Sequence, residues 1–336
     1  EIATNKKEKI IIISPDAWCS NPYIEEIFFK KKFIFIKNNL ICFLLIPLTF
    51  LKFFRISFHD DKNFINQKQY FNNSTRNDLQ FEHEIIFNLS CQKKNKEILK
   101  ECEIDENKIF SFLNSKTNIN LNKKLCVIHL RDENNNKIRN TKIENYVDGI
   151  NYLAQNNFEV LIFSNQKFDF NNKLIKFFKF NEENKKIQIY SIILCDIFLG
   201  PISGPFHIAK YLNKDLIITD SVIFNHYIYH NNFNIIYKKF FQNNKIMPFK
   251  EIFRNNLECI WDIKILEKKG IEVMDNTKDE ILNSIIEFNN EKKIETINYE
   301  KLKIISNEKK IIKNIKNLMI RNTSKYFIDK NFLNYE

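Results

Sequence analysis

Residues 195–213 read CDIFLGPISGPFHIAKYLN. The chain holds four Gly and six Pro in 336 residues, yet two of each fall within positions 200–205. Gly admits positive φ and lets the backbone come close to a neighbour or a ligand, while Pro fixes φ and removes a donor. Ahead of the cluster, DIFLG is an apolar run of strand length. Behind it, Phe206, Ala209, Tyr211 and Leu212 fit one helical face. A strand, a tight turn with a small hydroxyl residue and a helix would aim free N–H groups and a helix N-terminus at one spot, which is an anion site in form. Any βα turn also uses a Gly or two, so the turn alone leaves a plain connection open.

The same alternation runs outward on both sides. KLCVIHL (124–130) and FEVLIFS (158–164) are β-runs, and DLIITD (215–220) is another. Between the first two, TKIENYVDGINYLAQNN (141–157) is helical, with Ile143, Tyr146, Val147, Ile150 and Leu153 on one face. IQIYSIILCD (187–196) fits either state, and KDEILNSIIEFNNEK (278–292) reads as a helix. Towards the start, KIIIIS (9–14) and FIFIK (33–37) are strand-like, RISF (55–58) less so, and NKEILKECEI (95–104) closes a helical stretch. Strands alternating with helices imply βαβ units and a parallel sheet covered on both faces. The polar, aperiodic stretch around 107–123 reads as a linker, dividing the chain into 1–118, 119–290 and a Lys-rich, partly helical tail at 291–336. The first unit begins EIATNKK without Met, so residues upstream of it are expected.

Length suits two domains, each large enough to bury a core, and 44% hydrophobic content with 33 Phe argues against disorder. A formal charge of +11 suits nucleic acid, an anionic membrane surface or anionic small substrates. No nucleic-acid module is recognisable and the basic residues are diluted among acids, so a solvated Lys-rich surface is the plainer reading. Seven Cys at irregular spacing, with no C-x-x-C, read as reduced thiols of a cytoplasmic protein. The apolar run Leu40–Leu51 is twelve residues, short of the roughly 20 that span a bilayer. With Lys30, Lys31, Lys32 and Lys37 among aromatics beside it, peripheral attachment to an anionic membrane is an expectation. A helix packed in the N-terminal core, with its lysines solvated, fits the same residues.

At the end of the 124–130 strand, VIHLRD places His129, Arg131 and Asp132. Alternation sends His129 and Arg131 to one face. An Arg there offers a planar fork for two phosphate oxygens, and it equally suits a salt bridge to Asp132 or another nearby acid. His129 reads as a hydrogen-bonded imidazole or a ligand contact, and His207 as a capping or packing residue. Arg139 and Asn140 most simply open the following helix, with Asn140 or Thr141 as N-cap. Fifteen Asp are present and none forms an Asp-x-Asp pair, a spacing that clusters carboxylate oxygens for Mn²⁺ or Mg²⁺, so no metal or other cofactor is expected.

CVIHLRD, then RNTKIENYVDGINYLAQNNFEVLIFSN, then the 195–220 stretch together resemble a bacterial family of glycosyltransferase-like proteins linked to surface-carbohydrate synthesis, lipopolysaccharide included. The likeness extends over roughly residues 85 to 336. The H-x-R strand end and the later Ser-bearing turn are distantly similar to the nucleotide-sugar site of GDP-fucose-using fucosyltransferases. The resemblance implies an α/β, GT-B-like fold: two Rossmann-like domains with parallel sheets facing a cleft, the first on the acceptor side and the second holding the nucleotide sugar. It implies a nucleotide-sugar donor and a glycan or lipid-linked acceptor at the inner face of the cytoplasmic membrane. Arg131 would meet the β-phosphate, and Ser203 with the Gly204 N–H the phosphate from the facing turn. Arg139, Asn140 and His129 are further donor contacts. Asp132, or Asp16 in SPDAWCSNP, would be the catalytic base. The chain departs from the family at Ile162–Phe163–Ser164, where Arg-Met-Gly is usual, at Asp215 in place of Pro, and at Asp220 in place of Asn. A nucleotide-binding protein without transferase activity and a basic nucleic-acid-binding protein are the competing classes.

Overall fold

The computed structural model describes residues 10–14, 22–24, 33–37, 40–41, 95–120, 122–133, 137–224, 232–255, 257, 260, 262–290 and 323–331. The chain divides into two compact units, residues 1–92 with 96–104, and residues 93–95 with 105–336. In the first, β1 (Ile10–Ser14) and β2 (Phe33–Lys37) pair in parallel, as the strand-like runs predict. The unit also holds a helical turn α1 (Pro22–Ile24) and most of α2 (Asn95–Glu101), which buries Ile98 and Leu99. RISF, Asp16 and nearly all of Leu40–Leu51 lie outside the described residues.

The second unit opens on a correction. The stretch read as a linker is α3 (Glu106–Thr117), capped by Asp105, whose carboxylate accepts from the N–H groups of Asn107 and Lys108. Ile109, Leu113 and Thr117 are buried at i, i+4 and i+8. Three buried positions among Asn, Ser and Lys form a stripe too thin to stand out by periodicity, and tertiary packing decides the helix.

After α3 come β3 (Lys124–His129), α4 (Val147–Gln155), β4 (Phe158–Phe163), β5 (Ile175–Phe178), α5 (Glu182–Leu194) and β6 (Ile197–Gly200). Next are α6 (Gly204–Tyr211), β7 (Asp215–Ser221) and β8 (Phe233–Tyr237). The six strands form one parallel sheet in the order β5-β4-β3-β6-β7-β8. β4 is buried at every position and β7 at all but its first, which is why these strands read as continuous apolar runs rather than alternating ones. The ambiguous 187–196 run lies mostly in α5, whose buried Ile187, Ile189, Ile192 and Ile193 meet α3 and α6.

Strand order runs outward in both directions from the β3/β6 pair. Right-handed crossovers therefore put α4 on one face of the sheet and α5 and α6 on the other. That reversal between β3 and β6 is the switch point of a doubly wound sheet, where ligands bind beyond the carboxyl ends of the strands.

Beyond β8 the chain adds β9 (Lys239–Gln242), β10 (Lys245–Ile246), α7 (Phe249–Arg254), α8 (Ile263–Lys268), β11 (Ile271–Met274) and α9 (Lys278–Asn290). The strands β10-β9-β11 make a small antiparallel sheet that the sequence reading did not anticipate. α9 is as expected, packing on α4, β7 and β8. Within the tail, α10 (Lys325–Asn331) returns to the core: Thr323 bridges Ile235 in parallel, and Phe327 is fully buried.

Candidate functional site

The carboxyl ends of β3 and β6 meet closely. Gly200 sits at φ +146, and a Cβ there would stand 2.3 Å from the His129 carbonyl oxygen. No L side chain fits that position, so the glycine is required by the approach of the two strand ends. This is what the gathering of Gly and Pro at 200–205 accomplishes: the turn is folded directly against the end of β3.

Ser203 caps α6, its Oγ accepting from the Phe206 N–H at 3.4 Å. Pro205 has no N–H and the Phe206 N–H is taken by the cap, so Gly204 holds the exposed first-turn donor among the described residues. No heavy atom lies within 4 Å of where a Gly204 Cβ would be. Gly204 is itself exposed, so the first turn of the helix, with the positive end of its dipole, reaches the surface.

Opposite the turn stand the β3 residues. The Arg131 side chain is 11% exposed, and its Nη2 donates to Glu133 Oε2 at 2.5 Å. The acid that pairs with it is thus Glu133, not the exposed Asp132. Arg131 Nε is buried and meets no acceptor among the described residues. Arg139 reaches across to the turn, donating from Nη2 to the Ile202 carbonyl at 2.5 Å. Burial, with Arg131 adding its repulsion, lowers the Arg139 guanidinium to a pKa of about 10 against a small opposing pull from Glu133.

His129 is buried against Phe180, and its Nδ1 lies 3.2 Å from Gln188 Nε2. With the amide nitrogen facing it, Nδ1 accepts and the ring proton sits on Nε2. Burial first, then the charges of Arg131 and Arg139, press the imidazole pKa down to about 3, so His129 is neutral at working pH. His207 is exposed on α6, with its ring edge-on to Phe206 at 5.1 Å.

Asn140 does not cap a helix, and neither does Thr141. The chain passes through two 3-10 turns, Lys137–Arg139 and Ile143–Asn145, and α4 starts only at Val147. Asn140 instead clamps the β3 loop, accepting from the Glu133 N–H (3.1 Å) and donating to the Glu133 carbonyl (2.7 Å). The Thr141 N–H donates to the Arg131 carbonyl at 3.0 Å. A polar residue ahead of an apolar periodic stretch looks like an N-cap, and here its side-chain hydrogen bonds go back to Glu133, seven residues earlier.

Behind the site lies a buried polar cluster that sequence reasoning missed. Tyr146 Oη is 2.6 Å from Thr219 Oγ1 and donates to Asp220 Oδ2 at 2.9 Å. Asp220, at φ +50 near the end of β7, exchanges bonds with Asn276: its N–H donates to Oδ1 (2.6 Å) and its Oδ1 accepts the Asn276 N–H (2.7 Å). Lys238 donates to Asp275 Oδ1 (2.5 Å) and to the Asn140 carbonyl (2.6 Å). Positive φ at a non-Gly residue was the signal in principle, but φ is not written in a sequence.

The structure thus brings together His129, Arg131, Arg139, Asn140, Ser203 and Gly204 at the switch point, leaves Asp132 on the surface beside them, and does not describe Asp16. Among the described residues, no three His, Cys, Asp or Glu side chains converge as metal ligands. Arg131, paired with Glu133, and Arg139, bonded to the Ile202 carbonyl, thus stand together beside the N-terminus of α6. Such an arrangement can hold a dianion and neutralise negative charge as it develops on a leaving group.

Comparison with protein-family models finds no match, and no curated protein matches the chain in sequence. Among solved structures, the chain is similar to a family 9 glycosyl transferase from Veillonella parvula, with 8% identity, a TM-score of 0.27 and 32% of each chain covered. It is also similar to the wall teichoic acid polymerase TagF, with 10% identity and a TM-score of 0.29 over 64% of this chain and 49% of that one. The chain therefore spans about a third and about half of these two structures. At these TM-scores neither likeness carries the argument, which rests on the residues described above.

Proposed function

We propose that the protein is a glycosyltransferase of GT-B-like build that moves a hexosyl or deoxyhexosyl group from a nucleotide sugar to a glycan or lipid-linked acceptor. In this reading the second unit is the Rossmann-like donor domain and the first serves the acceptor. The observation that carries it is the pair Arg131 and Arg139 at the β3/β6 switch point, near enough that the Arg131 charge lowers the Arg139 pKa while Glu133 pairs with Arg131. The buried Arg131 Nε, which meets no acceptor among the described residues, supports the same reading.

Each residue then has a task. Arg131 and Arg139 take the diphosphate, whose negative charge grows as the sugar–oxygen bond breaks. The Gly204 N–H and the α6 dipole supplement them, and Ser203 holds that helix end in place. His129, fixed as the Nε2–H tautomer, donates to a phosphate or sugar oxygen without titrating. Asn140 sets the loop that carries Arg131. Asp132, exposed beside the Arg131–Glu133 pair, is the carboxylate that would deprotonate an acceptor hydroxyl. Fixed cations supply the electrostatic work that a divalent metal does elsewhere, so transfer proceeds without one.

No helix among the described residues is long and apolar enough to cross a membrane. Work at the inner face of the cytoplasmic membrane would rest on peripheral contacts of the first unit. The test is a thermal-shift screen of GDP-, UDP-, ADP- and CMP-sugars, followed by transfer assays with the stabilising donor in excess EDTA and with Mn²⁺ restored. Stabilisation by one nucleotide-sugar class and full activity in EDTA are expected. No stabilisation by any of them refutes the reading, and activity that vanishes in EDTA and returns with metal refutes the cationic cradle.

A further inference from the structure

Lys238 is almost fully buried, with a 3% exposed side chain, and the functional reading gives it no part. Its backbone is fixed by an N–H bond to the Ser221 carbonyl at the end of β7 (2.9 Å). Its ammonium group divides between Asp275 Oδ1 and the Asn140 carbonyl, 98 residues earlier in the chain. Asn140 in turn grips both backbone groups of Glu133, and Glu133 grips the Arg131 guanidinium. Three links, Lys238 to Asn140, Asn140 to Glu133 and Glu133 to Arg131, run in series from the β8–β9 junction to the fork at the switch point.

We propose that Lys238, held by Asp275, is a positioning residue that sets Arg131 for its anion by fixing Asn140 against the Glu133 loop. The proposal rests on the reading of the switch point as a diphosphate cradle. An ammonium carries three donors and no acceptor, and at this depth it stays only where acceptors are fixed around it. Asp275 supplies the compensating charge, and the Asn140 carbonyl is then the target the lysine can reach. A carbonyl bonded by a buried cation cannot rotate freely. The Asn140 side chain therefore keeps its two-point hold on Glu133, and Glu133 Oε2 keeps Arg131 Nη2 in one orientation. Nε is left without an acceptor by the same restraint.

The neighbouring Lys239 provides the control. It is equally buried and donates to both oxygens of Glu280, but that pair lies with α9 and α10, away from Asn140. Lys238→Met and Lys239→Met are compared with wild type in two measurements: hydrogen exchange of the Glu133 amide, and calorimetric binding of inorganic pyrophosphate. In Lys238→Met the Glu133 amide is expected to exchange faster and pyrophosphate to bind about tenfold to a hundredfold more weakly. Lys239→Met is expected to lose stability with neither change. Should Lys238→Met fail to fold, Asp275→Asn keeps both acceptors of Lys238, removes the opposing charge, and is expected to move both readouts in the same direction. Unchanged Glu133 exchange in Lys238→Met, or equal weakening in Lys239→Met, overturns the proposal. If wild type binds neither pyrophosphate nor a nucleoside diphosphate, the diphosphate reading falls, and Glu133 exchange alone then decides the clamp.

Discussion

Replacing Asp220 by Asn should make the protein's stability less dependent on pH, in a direction opposite to that of most carboxylates. Burial raises the Asp220 pKa from 3.8 to about 6, against the pull of Lys238 and the Asn276 N–H, with Asp275 adding to the rise and the Tyr146 hydroxyl opposing it. A carboxyl whose pKa is higher folded than unfolded binds its proton more tightly in the folded state. Its contribution is fully present below pH 3.8 and is lost as pH rises through 6. At about 1.4 kcal/mol per pH unit, that gap corresponds to about 3 kcal/mol. The amide in Asp220→Asn preserves the contacts: its oxygen accepts the Asn276 N–H, its nitrogen faces Tyr146 Oη, and Tyr146 turns its proton to Thr219. Asn also tolerates the positive φ found here. Urea unfolding of Asp220→Asn and wild type between about pH 4 and about pH 8 should show the variant gaining on wild type by about 2.5 kcal/mol across that range. A constant difference between the two curves, or one that grows towards acid, refutes the account of Asp220.

Arg131→Lys keeps the charge and loses the fork, so donor affinity measured by calorimetry should fall by about 2 kcal/mol, about thirtyfold, and unchanged affinity would remove Arg131 from the site. Gly200→Ala places a methyl 2.3 Å from the His129 carbonyl and should cost more than about 3 kcal/mol in urea unfolding. Gly204→Ala, in open space, should stay within about 0.5 kcal/mol, and equal effects at the two glycines would contradict the geometry of the turn. The His129 imidazole, with its pKa near 3, should show no NMR titration between about pH 5 and about pH 8. Because its proton is bound more weakly in the folded state, its contribution to stability is lost as pH falls from 6.5 towards 3; an inflection near 6.5 would mean the ring is not buried as described.

Much of the sheet was legible because its strands are buried on both faces and carry unbroken apolar runs, as at Cys126–Ile128 and Leu216–Ile218. The site's two halves were legible for different reasons. Gly200 and Gly204 stood out against a chain almost empty of glycine, and Arg131 stood at the end of an unmistakable strand. What joins the halves was not legible. Arg139 meets Ile202 across 63 positions, and Lys238 meets Asn140 across 98, through contacts that only the completed topology creates. Local pattern also misled where a residue's partner was remote, as with Asn140, and where a helix rested on three buried positions, as with α3. The small β10-β9-β11 sheet has strands as short as two residues, below any periodicity a sequence can display.

The return of residues 323–331 to the core has a consequence for how the protein is made. β8 is the last strand of the parallel sheet, and its outer side gains a partner at Thr323. The Glu280 carboxylate, already paired with Lys239, accepts a further bond from Asn331, and Glu287 accepts the Tyr326 N–H. A ribosome synthesises the chain from its first residue onward, so the sheet emerges with this flank still open. Until residue 331 has cleared the exit tunnel, the Thr323 bridge to β8 and the bonds of Asn331 to Glu280 and of Tyr326 to Glu287 are not made, and an open sheet flank is the kind of surface that chaperones hold and that nascent chains misassociate through.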